Sequence, residues 1–124
     1  MRIRQVVPFI VVVLVMTLGG PARADDDRGS CSGGPSQWRL DVGRESSTTL
    51  RLRFEIEGGD PDQEWQLFIS DNDHRVYVGT KVSEDNGRLR VGKLTADRAG
   101  RDRIEAAGVN LDTGESCSAS LTYR

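Results

Sequence analysis

A single histidine and two cysteines are all that 124 residues offer of the side chains that most often do chemistry at neutral pH. One imidazole and one cysteine pair cannot assemble an ordinary four-ligand zinc site. No G-x-S-x-G elbow occurs, and His74, beside Asp71 and Asp73, has no nucleophile nearby in the sequence to activate. No D-x-[DN]-x-[DN]-G loop marks a calcium site. Aromatic residues make up only 6% of the chain and no basic stripe is interleaved with them, which argues against a nucleic-acid surface. Helical periodicity is also missing beyond the first 24 residues. Leu94 to Ala107, rich in Ala and Arg, comes nearest to it.

What is present begins with a leader. MRIRQ supplies a basic start, Val6 to Leu18 an apolar run interrupted by Pro8, and Ala22-Arg23-Ala24 a small-residue cleavage site. These are the parts of a secretory signal peptide, assigned to residues 1–24; the run is too short for a membrane anchor of about 20 apolar residues. Removing Arg2, Arg4 and Arg23 with the leader takes the net charge from −2 to −5, so a secreted, mildly acidic protein with no membrane attachment after cleavage and no attraction to nucleic acid is expected. The 15 arginines of the full sequence outnumber its 2 lysines but are scattered and form no single anion site. Cys31 and Cys117 lie near the two ends of the remaining chain, and export to an oxidising compartment predicts a disulfide between them. Arg28-Gly29-Ser30 before Cys31 is not the setting of a lipid-modified cysteine.

The strongest local signal is Thr48 to Glu57, where Leu50, Leu52, Phe54 and Ile56 alternate with Thr49, Arg51, Arg53, Glu55 and Glu57. Period two over ten residues predicts a strand with one face in a core and the other in water. Gln37 to Val42 repeats the pattern with Trp38, Leu40 and Val42 inward, and Glu64 to Ser70 does so with Trp65, Leu67 and Ile69. Further strands are read over Arg75–Val82, Arg88–Leu94, Asp102–Asn110 and Glu115–Tyr123, with Leu89, Val91 and then Lys93 in the inward series. Between them lie Gly58-Gly59-Asp60-Pro61-Asp62, Asp71 to His74, Asp112-Thr113-Gly114, and Glu84-Asp85-Asn86-Gly87, whose Asn-Gly is favoured in type I′ turns. Residues 25–36 are read as a polar, Gly-rich tail tethered by Cys31, and 37–124 as the domain.

Seven short strands at such spacings predict an all-β fold, a seven-stranded antiparallel β-sandwich. Trp38 and Trp65 on early strands, and Ile104-x-Ala106-x-Gly108-x-Asn110 followed by Gly114, resemble an immunoglobulin-like or fibronectin type III-like domain. The whole chain is similar to short secreted bacterial β-sandwich proteins. Antiparallel packing of the Gln37 and Arg88 strands on Thr48–Glu57 sets Arg39 and Arg90 near Glu55, Asp41 near Arg53 and Arg88 near Glu57, a solvated ladder of opposite charges.

The other sheet would turn out Gln66, Phe68, Tyr77, Ala107, Val109, Ser118, Ser120 and Thr122, which are uncharged. Gln66, Phe68, Tyr77 and Val109 are therefore the candidate contacts with an unknown protein or cell-surface ligand, and a non-catalytic secreted binding module is the expected function. An acidic set at one end, Asp60, Asp62, Glu84, Asp85, Asp112 and Glu115, supplies the alternative of a small calcium-binding protein or enzyme; otherwise no cofactor is expected. A loop acting as a protease inhibitor is the third reading. One hundred residues leave little cleft for catalysis, so no enzyme is expected.

Overall fold

The computed structural model describes residues 24–124, so the signal-peptide assignment, apart from Ala24, lies outside the described residues. Eight strands run in chain order: β1 (Ala24–Ser30), β2 (Gln37–Arg44), β3 (Thr49–Glu57), β4 (Glu64–Asp71), β5 (His74–Val82), β6 (Leu89–Ala96), β7 (Asp102–Asn110) and β8 (Ser116–Tyr123). They form two antiparallel four-stranded sheets, ordered β1-β2-β3-β6 and β5-β4-β7-β8. Among the described residues there is no helix.

The eighth strand corrects the expected count of seven. Asp25 to Ser30 is no tail: it pairs with β2 from Ala24↔Gly43 to Ser30↔Gln37. Strand pairing satisfies backbone N–H and C=O groups whatever the side chains are, so a segment such as ADDDRGS can close a sheet edge without an apolar alternation to announce it. Gly29 makes the approach possible. A Cβ there would run into the indole of Trp38 across the pair.

The predicted registers hold. Arg39 stands opposite Glu55, Asp41 opposite Arg53, and Arg90 opposite Glu55 from the other side. Arg88 Nη2 lies 3.4 Å from Glu57 Oε1. Each inward position of β3, from Leu50 to Ile56, is buried against Trp65, Leu67 and Ile69 of β4 and Ile104 and Ala106 of β7, which together make the core. Burial of these side chains supplies the main driving force, on the order of 1.5–3 kcal/mol for each large residue before chain entropy is charged against it.

Cys31, just after β1, is bonded to Cys117 of β8 across a sequence separation of 86 residues, with the Cα atoms 4.3 Å apart. The predicted disulfide thus clamps one side of the sandwich, where β8 packs on β1 and β2. Two turns show how the ends are made. Asn72 and Asp73 both have positive φ, 50° and 68°, giving the two-residue hairpin between β4 and β5. At Asn86-Gly87 only Gly87 is left-handed, φ 81°, so the expected type I′ turn is absent. This connection crosses from one sheet to the other and joins no hairpin. The Gly87 N–H donates to the Glu84 carbonyl at 2.8 Å, and a Cβ on Gly87 would collide with the carbonyl oxygen of Gly59.

Candidate functional site

The outer face of the β5-β4-β7-β8 sheet is built by alternation. With Trp65, Leu67 and Ile69 in the core, Gln66 and Phe68 must point out. Across the strands Phe68 meets Val78 on one side and Ala107 on the other, and Ala107 meets Ser118. The next row is Thr80, Gln66, Val109 and Ser116. Phe68 is 39% exposed, Val78 46% and Val109 41%, a run of apolar surface with no charged side chain in either row. Val82 and Leu111, 58% and 53% exposed, extend it toward one end beside Glu64.

One candidate contact is misplaced by the sequence reading. Tyr77 does not lie on this face. It stands opposite Ile69, turns inward with it, and packs half-buried against the core. The register shifts between Ile69 and Ser70, leaving Val76 without a partner, and this bulge exchanges the faces of the residues on its two sides. Val78 takes the outward place beside Phe68. Lys93 Nζ covers the Tyr77 ring at 5.1 Å, closing the edge between β5 and β6.

The outer face of the other sheet differs in kind. It carries an open depression of about 310 Å³ bordered by Arg28, Gln37, Arg39, Glu55 and Glu57. Its arginines already have partners, Arg28 with Asp26 and Arg39 with Asp26 and Asp41, so the ladder neutralises itself.

The loops bearing the predicted acidic set do meet at the disulfide end. The carboxylates of Asp112 and Glu115 are tied separately, and Asp60 and Asp62 are held through their backbone. Asp112 Oδ2 accepts from the Glu64 N–H at 2.9 Å, and the Asp60 carbonyl accepts from Ser83 Oγ at 2.7 Å. The Asp62 N–H donates to the Ser83 carbonyl at 3.0 Å. Asp60, Asp62, Glu84, Asp85 and Asp112 are exposed, whereas Glu115 is buried and accepts from both Ser36 N, 2.7 Å, and Ser36 Oγ, 3.0 Å. Among the described residues no three His, Cys, Asp or Glu side chains are grouped to hold a metal ion.

The opposite end holds acidic residues that the sequence reading did not single out. Asp71, last in β4, and Asp102, first in β7, are both 0% exposed. Burial pushes the Asp71 carboxyl up, and burial first, then the Asp97 and Asp71 carboxyls, pushes Asp102 up to about 7. Asp97 moves the other way: its bond to Arg44, 2.6 Å, holds it below the usual carboxylate range. The signal was in the alternation, since Trp65, Leu67, Ile69 continues to Asp71 and Ala106, Ile104 continues back to Asp102. His74, at the start of β5, is exposed.

No protein-family model and no curated protein matches the chain. A solved structure described as a Br derivative of BhCBM56 aligns with it at a TM-score of 0.39 and 12% identity, covering 77% of this chain and 98% of that one. A likeness of that size carries no argument about fold or ligand, which leaves the surfaces of the chain itself to speak for its function.

Proposed function

We propose that this chain is a secreted, non-catalytic β-sandwich module that binds a protein or cell-surface ligand through the outer face of the β5-β4-β7-β8 sheet. The observation that carries the reading is the contiguous exposure of Phe68, Val78 and Val109 in adjoining register rows without an intervening charge. An aromatic anchor with aliphatic neighbours and a polar rim, here Ser116, Ser118 and Thr80, is the composition of a binding surface rather than of a solvated sheet face. An immunoglobulin-like or fibronectin type III-like relationship fits the distribution of the seven predicted strands. The first, second and fifth form one sheet, and the other four, which include the third, sixth and seventh, form the second.

The non-catalytic part of the proposal draws support from the disposition of the polar groups. His74 is exposed, while the nearest inward acid, Asp71, is wholly buried. Of the exposed carboxylates at the disulfide end, that of Asp112 accepts from the Glu64 backbone, and those of Asp60, Asp62, Glu84 and Asp85 are spread over two loops.

The test is affinity capture from native culture medium with residues 25–124, comparing the natural sequence with a Phe68→Ser, Val78→Ser double variant of equal melting temperature. A protein or glycan retained by the first and lost by the second supports the proposal. An identical captured set, or nothing retained above background, removes it.

A further inference from the structure

Two carboxyl groups buried side by side with few donors around them need a reason to stay folded. Neither oxygen of Asp71, nor Oδ2 of Asp102, has a hydrogen-bond partner of good geometry in the surrounding chain, and the Thr95 hydroxyl is the neutral donor that faces Asp71. Asp102 Oδ1 has only the Arg98 N–H, at 3.4 Å. Two ionised carboxylates so placed would repel each other while lacking the hydrogen bonds that make buried charge tolerable. One proton changes this: it removes a charge and supplies the O–H donor by which one carboxyl bonds the other.

The charges around the pair are balanced by that same proton. Arg44, at the end of β2, is bonded to Asp97, and Tyr123 of β8 lies under the Arg44 guanidinium at 5.9 Å. From β6, Thr95 faces Asp71, as does His74 from β5, and Arg98 approaches from the 97–101 connection between β6 and β7. Arg98 Nε is buried and has no hydrogen-bond partner. With the pair sharing one proton, the two remaining acidic charges, counting Asp97, match Arg44 and Arg98. Without the proton, one buried negative charge is left over.

We propose that the Asp71–Asp102 pair is a proton-operated latch on the 97–101 connection: a shared proton keeps the connection closed over this end of the sandwich, and loss of the proton releases it. The connection is the piece that moves because it lies directly over Asp102 and is held by few bonds. Asp97 N–H donates to the Thr48 carbonyl at 2.9 Å, and Asn72 Nδ2 donates to the Arg101 carbonyl at 3.0 Å. Lifting it hydrates both carboxylates without unpairing β4 from β7. The raised pKa of Asp102, about 7, gives the sign. The closed form binds the proton more tightly than the open one, so closure is strongest at acidic pH and is lost as pH rises through neutrality.

Amide hydrogen exchange of the full 25–124 chain tests this, with rates corrected for the intrinsic pH dependence of exchange. Between pH 5 and pH 8 the protection of the Asp97 and Arg98 amides, which donate to the Thr48 carbonyl and to Asp102 Oδ1, should fall on the order of 10- to 100-fold, while amides of Leu67 and Ala106 stay protected. Asp102→Asn places a permanent amide donor against Asp71, so protection of these two amides in that variant should not change with pH. Should Asp102→Asn fail to fold, Asp71→Asn must show the same loss of pH dependence. Unchanged protection in the natural chain, a pH dependence that survives in the Asn variant, or loss of protection shared equally by Leu67 and Ala106 each overturns the latch.

Discussion

Tyr77 stands opposite Ile69 across β4 and β5, whereas two residues earlier Arg75 stands opposite Ser70. The unpaired Val76 between them decides that the tyrosine ring belongs to the core edge and that Val78 belongs to the exposed face. Tyr77→Ala should therefore cost about 1–3 kcal/mol in a denaturant titration, since a half-buried aromatic is removed from the core margin. It should leave binding by the outer face intact. A variant with unchanged stability and lost binding would place the ring outside after all.

Gly29 is the point at which β1 touches the indole of Trp38. Gly29→Val forces the strand away, an overpacking cost of about 1–3 kcal/mol. The measurable consequence is local: amides of β1 that bond to β2 should lose exchange protection while those of β4 and β7 keep theirs. Uniform protection would mean that β1 tolerates a side chain there.

The Cys31–Cys117 bond closes most of the domain into one loop. Replacing both cysteines by serine should lower stability by roughly 4–5 kcal/mol in the chain-entropy account, a large share of what a domain of this size has. A loss below about 1 kcal/mol would show that the packing of β8 on β1 and β2 already restrains the ends.

Arg44 and Asp97 make a prediction of opposite sign to the buried pair. Because Arg44 depresses the Asp97 pKa, this pair contributes stability above the ordinary carboxylate range and loses it as pH falls through and below that range. Arg44→Gln should return the carboxyl ¹³C titration of Asp97 upward toward the usual aspartate value. An unshifted titration midpoint would assign the depression to another group.

Period-two alternation made β2, β3, β4 and β8 readable through at least three inward apolar residues each, while β5, β6 and β7, with fewer, were readable from the Gly, Asn and Asp turns that bound them. The charge ladder fixed the β2-β3-β6 register for the same reason: a one-residue slip would bury arginines. Three features escaped. β1 has no inward apolar series, since its stabilisation comes from backbone pairing and from Gly29 fitting Trp38. The bulge at Val76 inserts one residue into a run, Val76-Tyr77-Val78, that is apolar throughout and so gives no phase to violate. Asp71 and Asp102 occupy inward positions where the pattern calls for apolar residues, and reading Asp71 as a turn residue and Asp102 as no more than a strand end hid them. The uncharged face was legible through Gln66, Phe68 and Val109, and only its β5 member was exchanged.

The most direct test of the binding face is methyl chemical-shift mapping. The ¹³C-methyl-labelled domain would be titrated with the fraction of native medium retained by the immobilised protein. The account predicts shifts concentrated at the methyl groups of Val78, Val82, Val109 and Leu111, with Leu94 on the charged sheet and Val42 in the core unmoved. Shifts centred on Leu94, or spread evenly over both sheets, would contradict it.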